Sequence, residues 1–391
     1  MKILIVNTLY APSQIGGAEK SVQTLAENFT LLGHTVKIIC LGNENSNYEI
    51  ANVSVSAIKI KNNYWPFEKK VKSSTYQKFL WHLKDSQNTG YKHDFEEIID
   101  EFKPDILFTN NLSGFSTNIW AVAKSLDVKI VHTLRDYYLQ CPKSTKFKNN
   151  LNCDEICLNC KILSNSKKQN SHQIDYLVGI SEYILDDHIK NGYFNSVPKE
   201  VVYNGFNLKL SENKKTKNNV VVFGFIGQIK ESKGIELILK CFSKITNCDW
   251  KLLIAGESDA TYLSHLDSLN SSSKVNYLGY VESNVFFKKI DILVVPSLWN
   301  EPFGRVVLES LINKKPVLAS NVGGISELMS INKNFLFETN QESLTRQIER
   351  ILTNPEVLSD FNFDQDFMTK FSINETVRKY LNIFDRILNI K

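Results

Sequence analysis

The sequence lacks the features of several large protein classes. Its apolar runs all fall short of the roughly 20 residues that a membrane-spanning helix needs. The opening segment, residues 1–7, is too short and too soon polar to be a secretory signal, so we expect a cytoplasmic protein. A formal net charge of +4 over 391 residues predicts no concentrated basic face, so we expect no nucleic acid as a partner. What remains is an ordinary globular chain, long enough for two domains.

Cysteine is also scarce, and its seven residues are an odd number that favours free thiols over a disulfide framework. Four of the seven fall within twenty positions: Cys141, Cys153, Cys157 and Cys160. Four thiolates at such a spacing can surround a structural zinc ion as a tetrahedron. Reduced thiols in a loop or in the core are the alternative, and the spacing does not decide between the two.

Short apolar runs alternate with helical patterns along the whole chain, and the alternation restarts after a polar, lysine-rich linker at residues 207–219. This pattern predicts two doubly wound parallel-sheet domains of the α/β class, residues 1–205 and 206–371. An amphipathic last helix within residues 372–391 is predicted to pack back on the first domain. The predicted strands lie at residues 3–6, 54–60, 129–134, 176–181, 220–226, 250–256, 275–279, 290–295 and 316–320, and residues 33–40 and 102–111 each contain a helix end followed by a strand. Residues 201–205 close the first half.

The stretch from Pro296 to Ser310 organises the second half, because a buried-strand pattern leads into it and a helical pattern leads out. Two carboxylates lie eight positions apart in it, Glu301 in the turn and Glu309 in the helix. Free N–H groups at a helix start can hold a phosphate, and an ionised carboxylate accepts hydrogen bonds from a sugar diol. A helix-capping acid beside a solvated one is the plainer interpretation, but the flanking glycines and prolines favour a ligand site.

Three glycine turns and one arginine complete the candidate site. Gly16-Gly17, Gly227-Gln228 and Gly323-Gly324 each lie in a turn next to a predicted helix. Arg135 comes just past the strand at residues 129–134, and ligands of open α/β sheets bind at the carboxyl ends of strands. A salt bridge to Asp136 is the structural alternative for Arg135.

Together these motifs resemble the retaining glycosyltransferases of family 4, over nearly the whole chain and in the family's order. Gly16-Gly17-Ala18-Glu19 is similar to the first glycine loop, and residues 227–234 are similar to the family's Gly-Arg to Lys-Gly turn. The resemblance implies the GT-B fold, with two facing Rossmann-like domains and a cleft between them. The first domain would bind the acceptor and the second the donor, and domain closure would assemble the site.

The resemblance also implies residue roles. Glu301 would accept bonds from donor-sugar hydroxyls, Glu309 would hold the ribose diol, and Lys233 would neutralise the diphosphate leaving group. The predicted catalytic residues are therefore Glu301, Lys233 and Arg135. The predicted donor-binding residues are Gly16, Gly17, Gly227, Gln228, Lys233, Glu301, Pro302, Phe303, Gly304, Arg305 and Glu309.

The implied activity is retaining transfer from a nucleotide-diphosphate sugar to a glycan or polyprenyl-linked acceptor, in surface polysaccharide or lipopolysaccharide synthesis, without a catalytic metal. Residues 62–91 are rich in lysine and aromatic side chains. They predict a loop and an amphipathic helix facing an acceptor or the inner membrane surface, with a plain surface helix as the alternative.

Two positions depart from the family pattern. Gln228 stands where the family has arginine, which removes a charge-assisted bond to phosphate of about 1.5–3 kcal/mol; Arg305 or Arg135 is a candidate replacement. Arg135 stands where histidine is usual, and His132 comes three residues early. These departures keep open a non-catalytic nucleotide-sugar-binding subunit, and the fold also serves epimerases and phosphorylases. The missing three-glycine fingerprint disfavours a nicotinamide dehydrogenase.

Overall fold

The computed structural model describes residues 1–13, 16–67, 73–207, 220–269 and 272–389. Most of the linker predicted at residues 207–219 lies outside these ranges, as do Lys69, Lys70 and Lys72 of the lysine-rich stretch. Contact clustering divides the chain into two units. The first unit comprises residues 1–146, 154–206 and 369–391, and the second comprises residues 147–153 and 207–368.

Strands form where short apolar runs are enriched in Val, Ile, Leu and Phe, the residues that fit a sheet buried on both faces. In chain order the strands are β1 (Lys2–Val6), β2 (Thr35–Gly42), β3 (Ser46–Ile50), β4 (Val53–Lys59), β5 (Ile106–Thr109), β6 (Lys129–Leu134), β7 (Phe147–Lys148), β8 (Leu151–Asn152), β9 (Tyr176–Gly179), β10 (Lys199–Val201), β11 (Val221–Ile226), β12 (Trp250–Ala255), β13 (Val275–Gly279), β14 (Ile292–Val295), β15 (Val317–Ser320) and β16 (Leu336–Phe337).

Helices form where apolar residues recur every three to four positions. In chain order they are α1 (Gly17–Leu31), α2 (Thr75–Ser86), α3 (Lys92–Phe102), α4 (Asn118–Ser125), α5 (Leu158–Asn170), α6 (Glu182–Lys190), α7 (Ile235–Phe242), α8 (Ala260–Leu269), α9 (Ser283–Phe287), α10 (Arg305–Ile312), α11 (Ile325–Leu328), α12 (Gln341–Thr353), α13 (Gln365–Thr369) and α14 (Ile373–Leu388). Within the described ranges, every helix is too short or too polar to be a bilayer-spanning segment.

The sheet of the first unit has the strand order β10-β9-β6-β5-β1-β2-β4-β3. All its neighbours pair in parallel except β3, which pairs antiparallel with β4. The direction of strand addition reverses between β1 and β5, so the carboxyl ends of these two strands flank the switch point of the sheet. The sequence pattern missed β3 because Ser46–Ile50 is mostly polar and exposed, as an edge strand can be.

The sheet of the second unit has the order β13-β12-β11-β14-β15-β16, and all its pairs are parallel. Its switch point lies between β11 and β14. The short β7–β8 hairpin also belongs to this unit, and the sequence pattern did not predict it. The amide of Asn152 donates to the carbonyl oxygen of Leu298 at 2.8 Å and accepts from the backbone N–H of Asn300 at 2.8 Å.

Helix α14 packs on the first unit, among residues far away in the sequence. The rings of Tyr380 and Phe384 lie 5.0 and 5.6 Å from the ring of Phe108, centroid to centroid, and the Phe384 ring lies 5.7 Å from that of Phe29. The Tyr380 hydroxyl is 3.0 Å from Oγ1 of Thr133 in β6. These side chains are fully buried and form part of the core beneath the sheet.

We therefore expect Phe384→Ala to lower the free energy of unfolding by about 3–5 kcal/mol, because it removes a buried ring and leaves a cavity. Urea unfolding followed by circular dichroism measures the change. Asn382→Ala, on the exposed side of the same helix, is the matched control and should change stability by less than about 0.5 kcal/mol. Equal effects of the two substitutions would contradict the packing of α14.

Candidate active site

The two residues predicted to act on the donor lie together in the second unit, beside the β11–β14 switch point. Lys233 follows β11 in the turn before α7, and Glu301 follows β14 in the turn before α10. Lys233 Nζ donates to Glu301 Oε1 at 2.5 Å, and Ser297 Oγ donates to the same oxygen at 2.6 Å. The Lys233 ammonium also lies 5.2 Å from the ring centre of Trp299.

The Glu301 carboxylate is held ionised although it is buried. Desolvation raises the pKa of Glu301, but the Lys233 ammonium and hydrogen bonds from Lys233, Ser297 and Trp299 together outweigh it. The net result is a pKa below the ordinary value of 4.5. At neutral pH the site therefore presents a fixed negative charge against a positive one.

Two glycines hold the Glu301 loop in place, because only the absence of a Cβ lets the backbones approach. At Gly234, with φ of +72°, a Cβ would lie 1.7 Å from the carbonyl oxygen of Pro296. At Gly323, with φ of +53°, a Cβ would lie 2.3 Å from the carbonyl oxygen of Glu301. The next residue, Gly324, donates its N–H to that same oxygen at 2.8 Å. The Gly323-Gly324 turn thus supports the Glu301 loop.

Glu309 lies in the second turn of α10, as the sequence pattern predicted. Its Oε1 accepts from Arg305 Nε at 2.9 Å, and its Oε2 accepts from Ser283 Oγ at 2.6 Å. Arg305 was a candidate replacement for the missing phosphate-binding arginine, but its guanidinium holds Glu309 across one helical turn. Gly304, with φ of +98°, is the residue before this helix, and Phe303 beside it is buried.

A lysine that the sequence pattern missed stands near the pair. Lys230 follows Gln228 by two residues, on the same turn after Gly227. Desolvation and the neighbouring Lys233 ammonium lower the pKa of Lys230, while the Glu301 carboxylate acts in the opposite direction. The Lys230 side chain is exposed, and its charge interacts with the charges of Lys233 and Glu301. The signal was available, because a lysine near the missing arginine carries the charge that Gln228 lacks.

The first unit places its predicted residues near the β1–β5 switch point. Gly16 precedes α1, and its N–H donates to the carboxylate of Glu19 at 2.9 Å, so Glu19 caps the helix. Gly17 is the first residue of α1. Residues 14 and 15, which precede this turn, lie outside the described residues.

Arg135 is buried, and amide oxygens hold its guanidinium. Its Nε donates to Asn110 Oδ1 and its Nη1 to Asn204 Oδ1, both at 2.7 Å. Asp136 accepts the backbone N–H of Tyr138 at 2.8 Å, and burial raises the pKa of Asp136 to about 6. His132 is buried in β6 and lies 2.9 Å from Thr109 Oγ1, which fits a structural role for this histidine. A role for Arg135 in the reaction stays a prediction.

Three of the four clustered cysteines are in contact within the first unit. The Cys160 thiol is in hydrogen-bonding contact with the thiols of Cys141 and Cys157, and Cys157 is the residue before α5. Cys153 belongs to the second unit. Across the described ranges, no group of three or more His, Cys, Asp or Glu side chains is arranged to hold a metal ion. The predicted zinc site therefore gains no support from this arrangement and stays a prediction.

Comparison with known proteins gives the same assignment for both halves of the chain. Residues 15–210 match the model of Glycosyltransferase Family 4, and residues 207–363 match that of Glycosyl transferases group 1. An uncharacterized 42.6 kDa protein in the cps region of Klebsiella pneumoniae is 36% identical over 395 residues, covering 98% of this chain and all of that protein.

Solved structures agree with this assignment at the level of the fold. Sucrose-phosphate synthase from Thermosynechococcus elongatus superposes with a TM-score of 0.75 at 16% identity, over the full length of both chains. Anabaena HepE, solved in complex with UDP and glucose, superposes with a TM-score of 0.70 at 17% identity, over 99% of this chain and 100% of that one.

The Lys233–Glu301 pair makes stability depend on pH in a defined direction. Because the pKa of Glu301 is lowered in the folded state, its contribution is present above 4.5 and is lost as pH falls through the folded-state pKa. We expect Glu301→Gln to lower the free energy of unfolding by about 1–3 kcal/mol at neutral pH. The difference from the unsubstituted protein should shrink below the ordinary pKa of 4.5.

Urea titrations at several pH values measure this difference. Glu342→Gln, which removes an exposed carboxylate paired with Arg346, is the control and should give a small difference at every pH. A Glu301→Gln effect that stays constant from neutral to acidic pH would show that the carboxylate is not held ionised by its partners.

Proposed function

This chain belongs to glycosyltransferase family 4 and has the GT-B fold, and on that premise we propose that it is a retaining enzyme for surface polysaccharide synthesis. Its donor would be a nucleotide-diphosphate sugar and its acceptor a glycan or polyprenyl-linked saccharide. Anabaena HepE, with UDP and glucose bound, supports the donor class. The family, the fold and the glycosyltransferase activity predicted from the sequence are confirmed, whereas the retaining mechanism, the substrates and the residue roles are proposals.

The observation that carries the proposal is the Lys233–Glu301 pair at the carboxyl edge of the second sheet. Glu301 lies four residues before the start of α10. A lysine ammonium has three N–H donors, so Lys233 can keep its bond to Glu301 and still donate to a phosphate oxygen. Glu301 retains acceptor capacity for a donor-sugar hydroxyl. The first backbone N–H groups of α10 and its positive dipole end offer a second phosphate contact.

Glu309, Arg305 and Lys230 also have proposed roles in donor binding. Glu309 would accept hydrogen bonds from the ribose diol, with Arg305 and Ser283 fixing its orientation. Lys230 would supply the phosphate charge that Gln228 does not, because it stands in the field of Lys233 and Glu301. The ammonium groups of Lys233 and Lys230 are compact point charges. Two of them can neutralise the negative charge that is spread over the oxygens of a diphosphate.

The proposed reaction forms a bond between an acceptor hydroxyl oxygen and the anomeric carbon while the bond from that carbon to the diphosphate breaks. The electron pair leaves with the diphosphate, and the acceptor proton passes to a diphosphate oxygen. Lys233 and Lys230 would stabilise the charge that builds on the leaving group, which is commonly the largest catalytic contribution. In this scheme the acceptor attacks from the same face, and neither a covalent enzyme intermediate nor a metal takes part.

Donor turnover tests the proposal. Purified protein is incubated with uridine-, guanosine- and adenosine-diphosphate sugars, with and without lipid-linked acceptors, and the released nucleoside diphosphate is measured. We expect release from one donor class, and we expect Glu309→Ala to abolish it. Binding of a donor without release, across a broad acceptor set, would support the non-catalytic subunit. The anomeric configuration of the product, read by NMR, tests retention separately.

Lysine substitutions separate the two proposed phosphate contacts. We expect Lys233→Ala to lower kcat by about 10²–10³-fold, because it removes a charge from the leaving group. Lys230→Ala should lower kcat by about tenfold, and Lys230→Arg should keep most of the activity because the charge remains. Lys244→Ala, at an exposed position in the same unit, is the control. An unchanged kcat in Lys230→Ala would contradict the proposal that Lys230 supplies the phosphate charge that Gln228 lacks.

A further inference from the structure

The β7–β8 hairpin contacts the loop that carries Glu301. The hairpin belongs to the second unit, although its sequence lies between two segments of the first. Its two strands pair antiparallel, and the residues between them, Asn149 and Asn150, have φ of +52° and +58°. Two successive residues with positive φ form the tight turn whose twist matches that of the flanking strands. The hairpin therefore presents Asn152, the last residue of β8, at a fixed place.

The side chain of Asn152 bonds to the backbone on both sides of Trp299. Its Nδ2 donates to the carbonyl oxygen of Leu298 at 2.8 Å, and its Oδ1 accepts the N–H of Asn300 at 2.8 Å. A side-chain amide can do both at once because it carries a donor and an acceptor in one planar group. The two hydrogen bonds fix the backbone immediately before and immediately after Trp299.

A second set of bonds holds the same backbone from the turn that carries Lys233. The carbonyl oxygen of Ser232, the residue before Lys233, accepts the N–H of Leu298 at 2.9 Å and that of Trp299 at 3.4 Å. The backbone around Trp299 is thus bonded to the turn after β11 through Ser232 and to the hairpin through Asn152. Loss of either partner would free one side of this loop.

The side chain of Trp299 contacts both members of the Lys233–Glu301 pair. Its ring centre lies 5.2 Å from the Lys233 ammonium, and its indole N–H donates a hydrogen bond to the Glu301 carboxylate. An indole ring attracts a cation through its face and donates through its N–H, so one side chain can stabilise both charges. A displacement of Trp299 would therefore change the surroundings of both groups.

We propose that Asn152 is a positioning residue for the transfer reaction, which acts by holding Trp299 against the Lys233 ammonium and the Glu301 carboxylate. The inference rests on the proposed function, because that function assigns Lys233 and Glu301 to the donor. Asn152 itself touches no reacting atom in this scheme. Its contribution is the placement of the groups that do, and small errors in such placement lower a rate strongly.

Donor turnover by variants of the full chain tests the proposal. We expect Asn152→Ala to lower kcat by about 10- to 100-fold, because Trp299 loses its placement. Leu151→Ala changes the neighbouring residue of the same hairpin, which is 70% exposed, and this matched control should leave kcat unchanged. Trp299→Ala should lower kcat as well, and adding Asn152→Ala to it should lower kcat no further, because the two residues act as a unit. Multiplied losses in the double variant would overturn the proposal.

The dependence of kcat on pH separates positioning from a general loss of structure. The hydrogen bond from Trp299 is one of the interactions that lower the pKa of Glu301, so its loss should raise that pKa. The acidic limb of the kcat profile should then move to higher pH in Asn152→Ala. Lys233 and Lys230 also interact electrostatically with Glu301, and both stay in place in this variant. A lower kcat with the acidic limb at its original pH would overturn the proposal.

Hydrogen–deuterium exchange, measured without donor, distinguishes failure of this inference from failure of the proposed function. We expect the backbone amides of residues 297–301 to exchange faster in Asn152→Ala than in Leu151→Ala, because the N–H of Asn300 loses its acceptor. Donor turnover with unchanged exchange would support the transferase and overturn the role of Asn152. Faster exchange in a protein that turns over no donor would overturn the transferase mechanism, and the role of Asn152 in transfer with it.

Discussion

In the second unit, the Lys233 ammonium and the Glu301 carboxylate lie 2.5 Å apart at a place where water reaches neither freely. The buried Glu301 carboxylate stays ionised because Lys233, Ser297 and Trp299 donate hydrogen bonds to it. Lys233 lies in the turn after β11, and Ser297 and Trp299 lie in the turn after β14. The turns can meet because Gly234 and Gly323 carry no Cβ. The Glu301 charge therefore depends on the conformation of the two loops, and that conformation depends on the two glycines. The ligand-binding edge of this sheet requires all three.

In the first unit, helices α2 and α5 meet through buried polar groups, because Lys167 of α5 lies 3.6 Å from Asp85 of α2. Asp85, Lys167 and Tyr138 form a closed set in which each charge has a partner, and the Lys167 ammonium also lies over the Tyr138 ring at 3.4 Å. Such a set adds little net stability, because desolvation offsets the attraction. It does fix geometry, since a shift of either helix would leave a charge buried and unpaired.

Much of this architecture could be predicted from the sequence, because buried parallel strands are short apolar runs and the glycine turns follow them at regular positions. The turn and helix pattern after a buried strand pointed to Glu301 and Glu309, whereas only the family resemblance pointed to Lys233. Other features depend on distant contacts that no local pattern carries: Asn110 and Asn204 hold Arg135, and Asn152 bonds to the loop before Glu301. The Arg305–Glu309 pair was available, since the two residues are four apart on one helix. The position of Arg305 beside the helix start also fits a partner for phosphate, and that interpretation competes with the ion pair.

The return of α14 to the first unit bears on how the protein is made. Tyr380 and Phe384 pack against Phe29 and Phe108 and cover that part of the core. On the ribosome, the whole second unit is synthesised before these two side chains exist. The first unit must therefore wait with part of its core uncovered while residues 207–368 emerge. A chain stalled or cleaved after residue 368 would carry an intact second unit joined to an unfinished first one, and such a chain is a natural substrate for chaperones and proteases.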